Sequence, residues 1–337
     1  MRHIFTSTGL ALALGIASSA DAEQRVLTIA SWGPPSHVTN AQIWPDFVTR
    51  LEEISEGALT AQLKLNLVPV PASADFVLDG GADFTMIFHG YTPGRFPTAE
   101  LVELPGTSGT VESTSAAYWR VWDTQLKAVA KQDEFKTIAM FVHGPGQIQL
   151  ADPIEKLADI KGLKVRGPGG VGSAVLDGLG AVGVQIPITK TYEALSSGAA
   201  DALVTNVDTR TAFRFDDVTT QIYTVPGGLY RGSMSALMNK ETWDSLPADL
   251  QAKLDAELFG ETLSRMFGAG LGAGDDAALE ASQALGHSVK AATAADMALL
   301  APIAEAIEAD VTERVAKTGV DARAALDSFR KLSVELE

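Results

Sequence analysis

The stretch LKVRGPGGVGSAV, Leu163–Val175, sets three glycines, Gly167, Gly169 and Gly172, in a G-x-G-x-x-G array directly behind an arginine. Two chemistries compete for it. In a dinucleotide fold the glycines let the backbone approach a pyrophosphate, and an acidic residue about 20 positions on holds the ribose. Here the next strand, VGVQIP, ends in Pro187-Ile188-Thr189, and Glu193 lies inside the following helix. A P-loop fails too, because no lysine follows the glycines. Arg166 offers the other chemistry. At the C-terminal end of a strand a guanidinium can grip a carboxylate through two parallel hydrogen bonds, and the helix N-terminus behind it adds positive potential. Spacing alone fits an arginine in a structural ion pair equally well.

Other candidates stand at predicted strand ends. Trp32 and His37 flank the Pro34-Pro35 loop and could wall a cleft or pack a surface. His89 and Tyr91 follow a buried strand as ligand donors, with a satisfied structural histidine as the alternative for His89. Asn206 and Val207 end another strand, and Ile188 a third. Gln147 follows FVHGPG, where a pocket contact competes with a hinge hydrogen bond, and Tyr230 and Arg231 stand at the return crossing. Trp32, Phe88, Tyr91, Ile188 and Val207 favour a ligand with an apolar or ring portion over a sugar acid. The best-fitting ligand is an aromatic or short branched 2-oxo or 2-hydroxy monocarboxylate, although Arg95, Arg210, Arg214 and Arg231 keep a diacid open. The scattered histidines show no metal-binding spacing, so no metal or cofactor is called for. GTSGT lacks the spacing of a nucleophile elbow and GSMSA sits on a predicted strand, which speaks against a secreted hydrolase and against catalysis generally.

These residues need elements to hold them. RVLTIAS, LTAQLKLNL, ADFTMIFHG, KTIAMFVHG, GLKVR, VGVQIP, ADALVTN and GSMSALMNK read as strands, most of them separated by helical patterns, which implies parallel sheets with crossover helices. Asn40 is placed to cap the first helix. GSMSALMNK reads as the last strand, with helix from Lys240 onward. LDGGADFTMI and LSSGAADALV repeat one pattern of helix, glycine, aspartate and buried strand, as two similar lobes would. In open sheets of this kind ligands sit beyond the C-terminal strand ends.

Composition bounds the rest. The chain has 337 residues, 46% of them hydrophobic, no cysteine and a net charge of −16. Disulfides and thiolate chemistry are excluded, and so acidic a chain is a poor partner for nucleic acid or an anionic membrane. Arg2 and His3, the apolar run LALALGI and Ala20-Asp21-Ala22 read as a signal peptide over residues 1–22, with the mature chain beginning near Glu23. Export without disulfides fits a bacterial periplasm.

Together these motifs resemble the substrate-binding proteins of tripartite ATP-independent periplasmic (TRAP) transporters, the DctP-like family. ASWGPPSH, GYTPGRFPTAELVELP, IKGLKVRGPG and TYEALSSGAAD match family segments in order, and Asn206 falls where many members carry a pocket residue. The resemblance implies an α/β, type II periplasmic-binding-protein fold: two α/β lobes, crossover strands and a long lobe-spanning helix. The lobes are expected at 23–145 plus about 232–278 and at 146–231 plus about 279–337. It implies capture of a carboxylate by cleft closure, with Arg166 as its anchor and Asn206, Gln147, Trp32, His89, Tyr91, Ile188 and Val207 around it. It further implies delivery to small and large TRAP membrane subunits, with the binding protein expected as a monomer. A protein that feeds a receptor instead of a permease would share these features. Gly106, where an aromatic is common, and Asn206-Val207, in place of a frequent Pro-Trp, depart from the pattern and alter the expected pocket.

Overall fold

The computed structural model describes residues 24–337, so the expected leader lies outside the described residues. The strands, in chain order, are β1 (Arg25–Ser31), β2 (Leu59–Leu65), β3 (Phe84–Phe88), β4 (Phe135–Val142), β5 (Gln147–Leu150), β6 (Lys164–Gly167), β7 (Val182–Gln185), β8 (Ala202–Thr205), β9 (Gln221–Thr224), β10 (Ser233–Asn239) and β11 (Ser288–Ala291). They form two sheets, ordered β2-β1-β3-β10-β4 and β11-β9-β5-β8-β6-β7. Within the first, β1 runs parallel to β2 and β3, and β10 lies antiparallel between β3 and β4. Within the second, β6 is parallel to β7 and β8, whereas β5 is antiparallel to β8 and β9. The antiparallel members are the strands the chain enters as it crosses between lobes.

The repeated glycine–aspartate pattern has a physical purpose. Asp83 accepts the Thr28 N–H at 2.7 Å and returns its own N–H to the Thr28 carbonyl at 2.9 Å. Asp201 does the same with Lys164, at 2.8 and 2.7 Å. In each lobe one aspartate therefore fixes where a strand begins beside its neighbour, after a glycine (Gly80, Gly198) at positive φ has ended the helix.

Two segments, 143–146 and 225–232, carry the chain between lobes and are bonded to each other. His143 N donates to Gly232 O at 3.1 Å, and Gly146 exchanges bonds with Tyr230 and Leu229 at 2.8 and 3.0 Å. The helix Glu261–Ala284 spans both lobes. Its first half stacks Phe267 on Phe141 of β4 at 4.1 Å, and a Cβ at Gly268 would lie 2.6 Å from the Val111 carbonyl, so glycine permits that approach. Its second half reaches the other lobe through Asp275 and Ser282.

Three expectations need correction. Asn40 does not cap a helix: its side chain binds Ser31, Trp32 and Pro34 and pins the proline loop, while the helix proper begins at Trp44 with Pro45 in its first turn. The chain after Lys240 is not helical throughout, because β11 adds a parallel edge to the second sheet; its four half-exposed residues, SVKA, carry no apolar alternation to announce a strand. The final helix, Ala322–Glu335, anticipated with the second lobe, lies against Val111–Val121 of the first. Ser113 Oγ donates to the Ser333 carbonyl at 2.7 Å, and the Tyr118 and Phe329 rings meet at 6.4 Å. Among the described residues no helix is long and apolar enough to cross a membrane.

Candidate functional site

Between the sheets lies a cavity of about 480 Å³ of atom-free space, its mouth included. Arg166, the third residue of β6, lines it and is only 1% exposed. Its Nε donates to the Ile186 carbonyl at 3.0 Å, Nη1 approaches the Val204 carbonyl at 3.5 Å, and Nη2 donates to the Tyr91 hydroxyl at 3.1 Å. None of these partners is an anion. The guanidinium is thus held by neutral groups, its charge is unpaired among the described residues, and N–H donors remain for a further acceptor.

Tyr91 belongs to the first lobe and reaches across the cleft. Its hydroxyl accepts from Arg166 and, at 3.0 Å, from the Ile188 N–H. With both lone pairs engaged, its proton is free for an acceptor in the cavity. Trp32 forms part of the wall, fixed by its indole N–H to the Met86 carbonyl at 3.2 Å. Phe88, Ile188, Met234 and Leu271 add apolar surface; Met234 stands opposite Phe88 in the β3–β10 pairing. Asn206 lines the cavity with its amide tied to Thr205 and Asp208. His37, also on the wall, lies 3.2 Å from Asp208 across the lobes. Phe213 of the second lobe covers Gly33 of the first, whose φ of +85° and lack of a side chain leave room for the ring.

Arg166, Asn206, Trp32, Tyr91 and Ile188 are therefore brought together, and three expected site residues are not. His89 turns into the first lobe, between Ser233 and Ser235 at 3.1 Å each, with Gln132 at 3.2 Å. Burial drives its pKa down to about 3, so the ring is neutral and structural. Gln147 spends its amide on the Val225 backbone at 2.6 and 3.2 Å, behind the crossovers. Val207 follows Asn206 with its side chain on the other face, packed on Ile222 and Ala278.

Sequence reasoning missed Met86, His143, Thr209, Met234 and Leu271 as lining residues, and it put Tyr230 at the return crossing without giving it a wall of the cavity. His143 is a hinge residue: Nδ1 donates to Gly144 O at 2.6 Å and Nε2 accepts from Gly232 N at 3.1 Å. Burial lowers its pKa to about 4, which keeps the ring neutral and both bonds intact. Alternation along β10 could have pointed to Met234; nothing local signals His143. The four other arginines considered for a second carboxylate lie elsewhere. Arg95 pairs with Asp75 and Arg214 with Asp217 outside the cleft. Arg210 is bonded to Ser282, Thr219 and His287, and Arg231 reaches Gly109 and Thr114 behind the hinge. Among the described residues no cluster of three or more histidine or acidic side chains could hold a metal ion.

Two α/β lobes, paired crossovers and a cleft holding a buried, unpaired cation define a bilobal solute-binding protein of the type II periplasmic-binding fold. The chain belongs to the bacterial extracellular solute-binding protein family 7, DctP, whose model matches residues 30–311. It is similar to a TRAP periplasmic solute-binding protein of Bordetella bronchiseptica, solved with bound (R)- and (S)-mandelate: 27% identity, 93% of this chain and 100% of that one covered, TM-score 0.89. It is likewise similar to a TRAP solute-binding protein of Rhodoferax ferrireducens in complex with copurified benzoate, at 28% identity, 93% and 98% coverage and a TM-score of 0.86. A curated relative, the outer membrane transporter protein TsaT of Comamonas testosteroni, is 26% identical over 98% of this chain and 97% of its own length.

Proposed function

We propose that the cleft captures one small monocarboxylate with an aromatic or compact apolar body, in the periplasm, and presents it to a TRAP membrane permease of small and large subunits. The observation that carries this reading is Arg166, a buried guanidinium held by three uncharged partners. Burying an unpaired cation is costly unless an anion joins it. A ligand carboxylate supplies that anion, and the fork of Arg166 with the free proton of Tyr91 supplies the donors. Arg166 is the one arginine lining the cavity among the described residues, which favours one carboxylate over two. The walls of Trp32, Met86, Phe88, Ile188, Met234 and Leu271 suit a ring or a short branched chain, including 2-oxo and 2-hydroxy acids. Similar proteins hold mandelate and benzoate, acids of this kind.

A thermal-shift screen of organic acids on the chain from Glu23 onward tests this. An acid at 100 times its dissociation constant adds about 2.7 kcal/mol of stability. Benzoate, mandelate or a short 2-oxo acid should raise the melting temperature. Sugar acids or dicarboxylates shifting it while monocarboxylates do not would refute the pocket reading and leave the family assignment standing.

A further inference from the structure

Glu103 is 1% exposed and plays no part in lining the ligand cavity. It stands in the first lobe, just after the turn Ala99–Val102. One carboxyl oxygen accepts from Ser233 Oγ at 2.6 Å and Ser233 N at 3.3 Å, both in its own lobe. The other accepts from Val171 N at 3.4 Å, across the cleft. Val171 is the second residue of the helix Gly170–Gly178, which begins directly after the Arg166 turn. A Cβ at Gly170 would lie 2.7 Å from that same oxygen, so the carboxyl is wedged against the helix start. Beside it the Gly90 carbonyl approaches Gly169 so closely that a Cβ there would lie 2.4 Å away. Such contacts exist only with the lobes shut.

We propose that Glu103 is a positioning residue through which pH sets ligand affinity: its carboxyl seats against the second lobe's helix only in the closed cleft, and closure takes up a proton there. The surroundings support the direction. Burial pushes the Glu103 pKa up to about 7, partly offset by the hydroxyl and N–H of Ser233 and the N–H of Val171. Glu100, on the same turn, pushes it the same way as burial and is itself paired with Arg314. The other titratable groups near it do not compensate the charge. Tyr118, on the helix Val111–Val121, is held neutral by burial, as is Tyr230 on the return crossover. His89, reached through Ser233, is neutral. Arg231 gives Glu103 only its backbone N–H, bonded to the Glu103 carbonyl at 3.2 Å, while its guanidinium turns to Gly109 and Thr114. Opening the cleft takes the second lobe's helix off the oxygen that faces Val171 and admits water to it, while the bonds from Ser233 remain, so the pKa moves back toward the ordinary carboxylate value.

The sign follows from linkage. A group whose pKa is higher in the closed state favours closure below its open-state value, and that contribution is lost as pH rises through the closed-state value. Affinity should therefore fall between about pH 5 and pH 7, by at most about tenfold per pH unit. The proposal rests on the cleft being the carboxylate site. Calorimetric titration with benzoate at pH 5.5, 6.5 and 7.5, in buffers of different ionisation enthalpy, tests it. Wild type should take up most of one proton per benzoate at pH 5.5–6.5 and weaken roughly tenfold or more by pH 7.5. Glu103→Gln should show neither effect and should bind more tightly than wild type at pH 7.5. Should that variant misfold by circular dichroism, Ser233→Ala serves instead. It removes a hydrogen bond that stabilises the charged carboxylate, so the fall in affinity should move to higher pH. A flat wild-type profile, or an equal slope in Glu103→Gln, overturns the proposal. No heat from benzoate or mandelate at any pH counts against the ligand reading, and so against this proposal that rests on it.

Discussion

At the scale of single residues one buried charge, Arg166, stands in the cleft wall. Arg166→Ala should weaken carboxylate binding by roughly 30-fold or more, because losing one arm of a buried charge pair costs on the order of 2–5 kcal/mol. Wild-type affinity by calorimetry would remove Arg166 from the site. Arg166→Lys should also fail substantially, since an ammonium cannot bind Ile186 O, Tyr91 and a carboxylate in one plane. Tyr91→Phe separates anchor from orienter: it leaves the guanidinium but removes the donor from the opposite lobe, and a smaller loss, about tenfold, is expected by the same titration. Sequence placed the level of the site well and its facing less well. Strand ends brought Arg166, Asn206, Trp32, Tyr91 and Ile188 to the cleft, while His89 and Val207 stand one position away from lining residues and so point elsewhere. Which face an end residue presents depends on the partner strand, and β10 comes from about 145 residues further along.

At the scale of elements, much of the fold was legible because the signals are local. The paired glycine–aspartate pattern announced two equivalent strand starts, and the glycine turn after Arg166 announced a helix. Edge strand β11 was not legible, since its residues bury too little to leave a pattern. Nor was the seat of the final helix, which depends on a long-range match of Phe329 to Tyr118. Two elements yield predictions. Asp296 begins the helix Ala294–Ala316. Burial alone would raise its pKa, but bonds from Thr293 Oγ1 and N, Leu157 N and Tyr223 OH, at 2.6–2.8 Å, hold it down at about 2. A depressed carboxylate stabilises above its unfolded pKa, and the stabilisation fades as pH falls from about 4 to about 2. Asp296→Asn should cost about 2 kcal/mol in urea denaturation at pH 7, with the gap to wild type closing near pH 2. Equal gaps at both pH values would refute this. Gly169→Ala acts on closure instead: with φ at +94° and the Gly90 carbonyl in the way, the new methyl should cost about 1–3 kcal/mol in strain and hold the lobes apart.

At the scale of the whole molecule, binding and shape are one event. Tyr91 on Arg166 and Ile188, Glu103 on Val171 and Phe213 over Gly33 all join different lobes, and all three contacts disappear if the lobes separate. What the lobes keep in common is the bonded pair of crossovers around His143, the helix Glu261–Ala284, and the helix Ala294–Ala316, which holds Leu157 and Tyr223 of one lobe through Asp296 and Glu100 of the other through Arg314. Closure of the kind proposed would be a rotation about the crossovers, with the sheets rigid on either side. On the proposed reading, an uncompensated Arg166 disfavours the closed state when the cleft is empty, and a carboxylate reverses that bias through its differential affinity for the closed form. Small-angle scattering should accordingly give a smaller radius of gyration with saturating benzoate than without. Gly169→Ala should keep the larger value at the same benzoate concentration, because its methyl obstructs closure while Arg166 remains in place. If the variant compacts like wild type, the Gly90–Gly169 approach does not limit closure. If wild type shows one radius with and without ligand, capture does not proceed by rotation of the lobes.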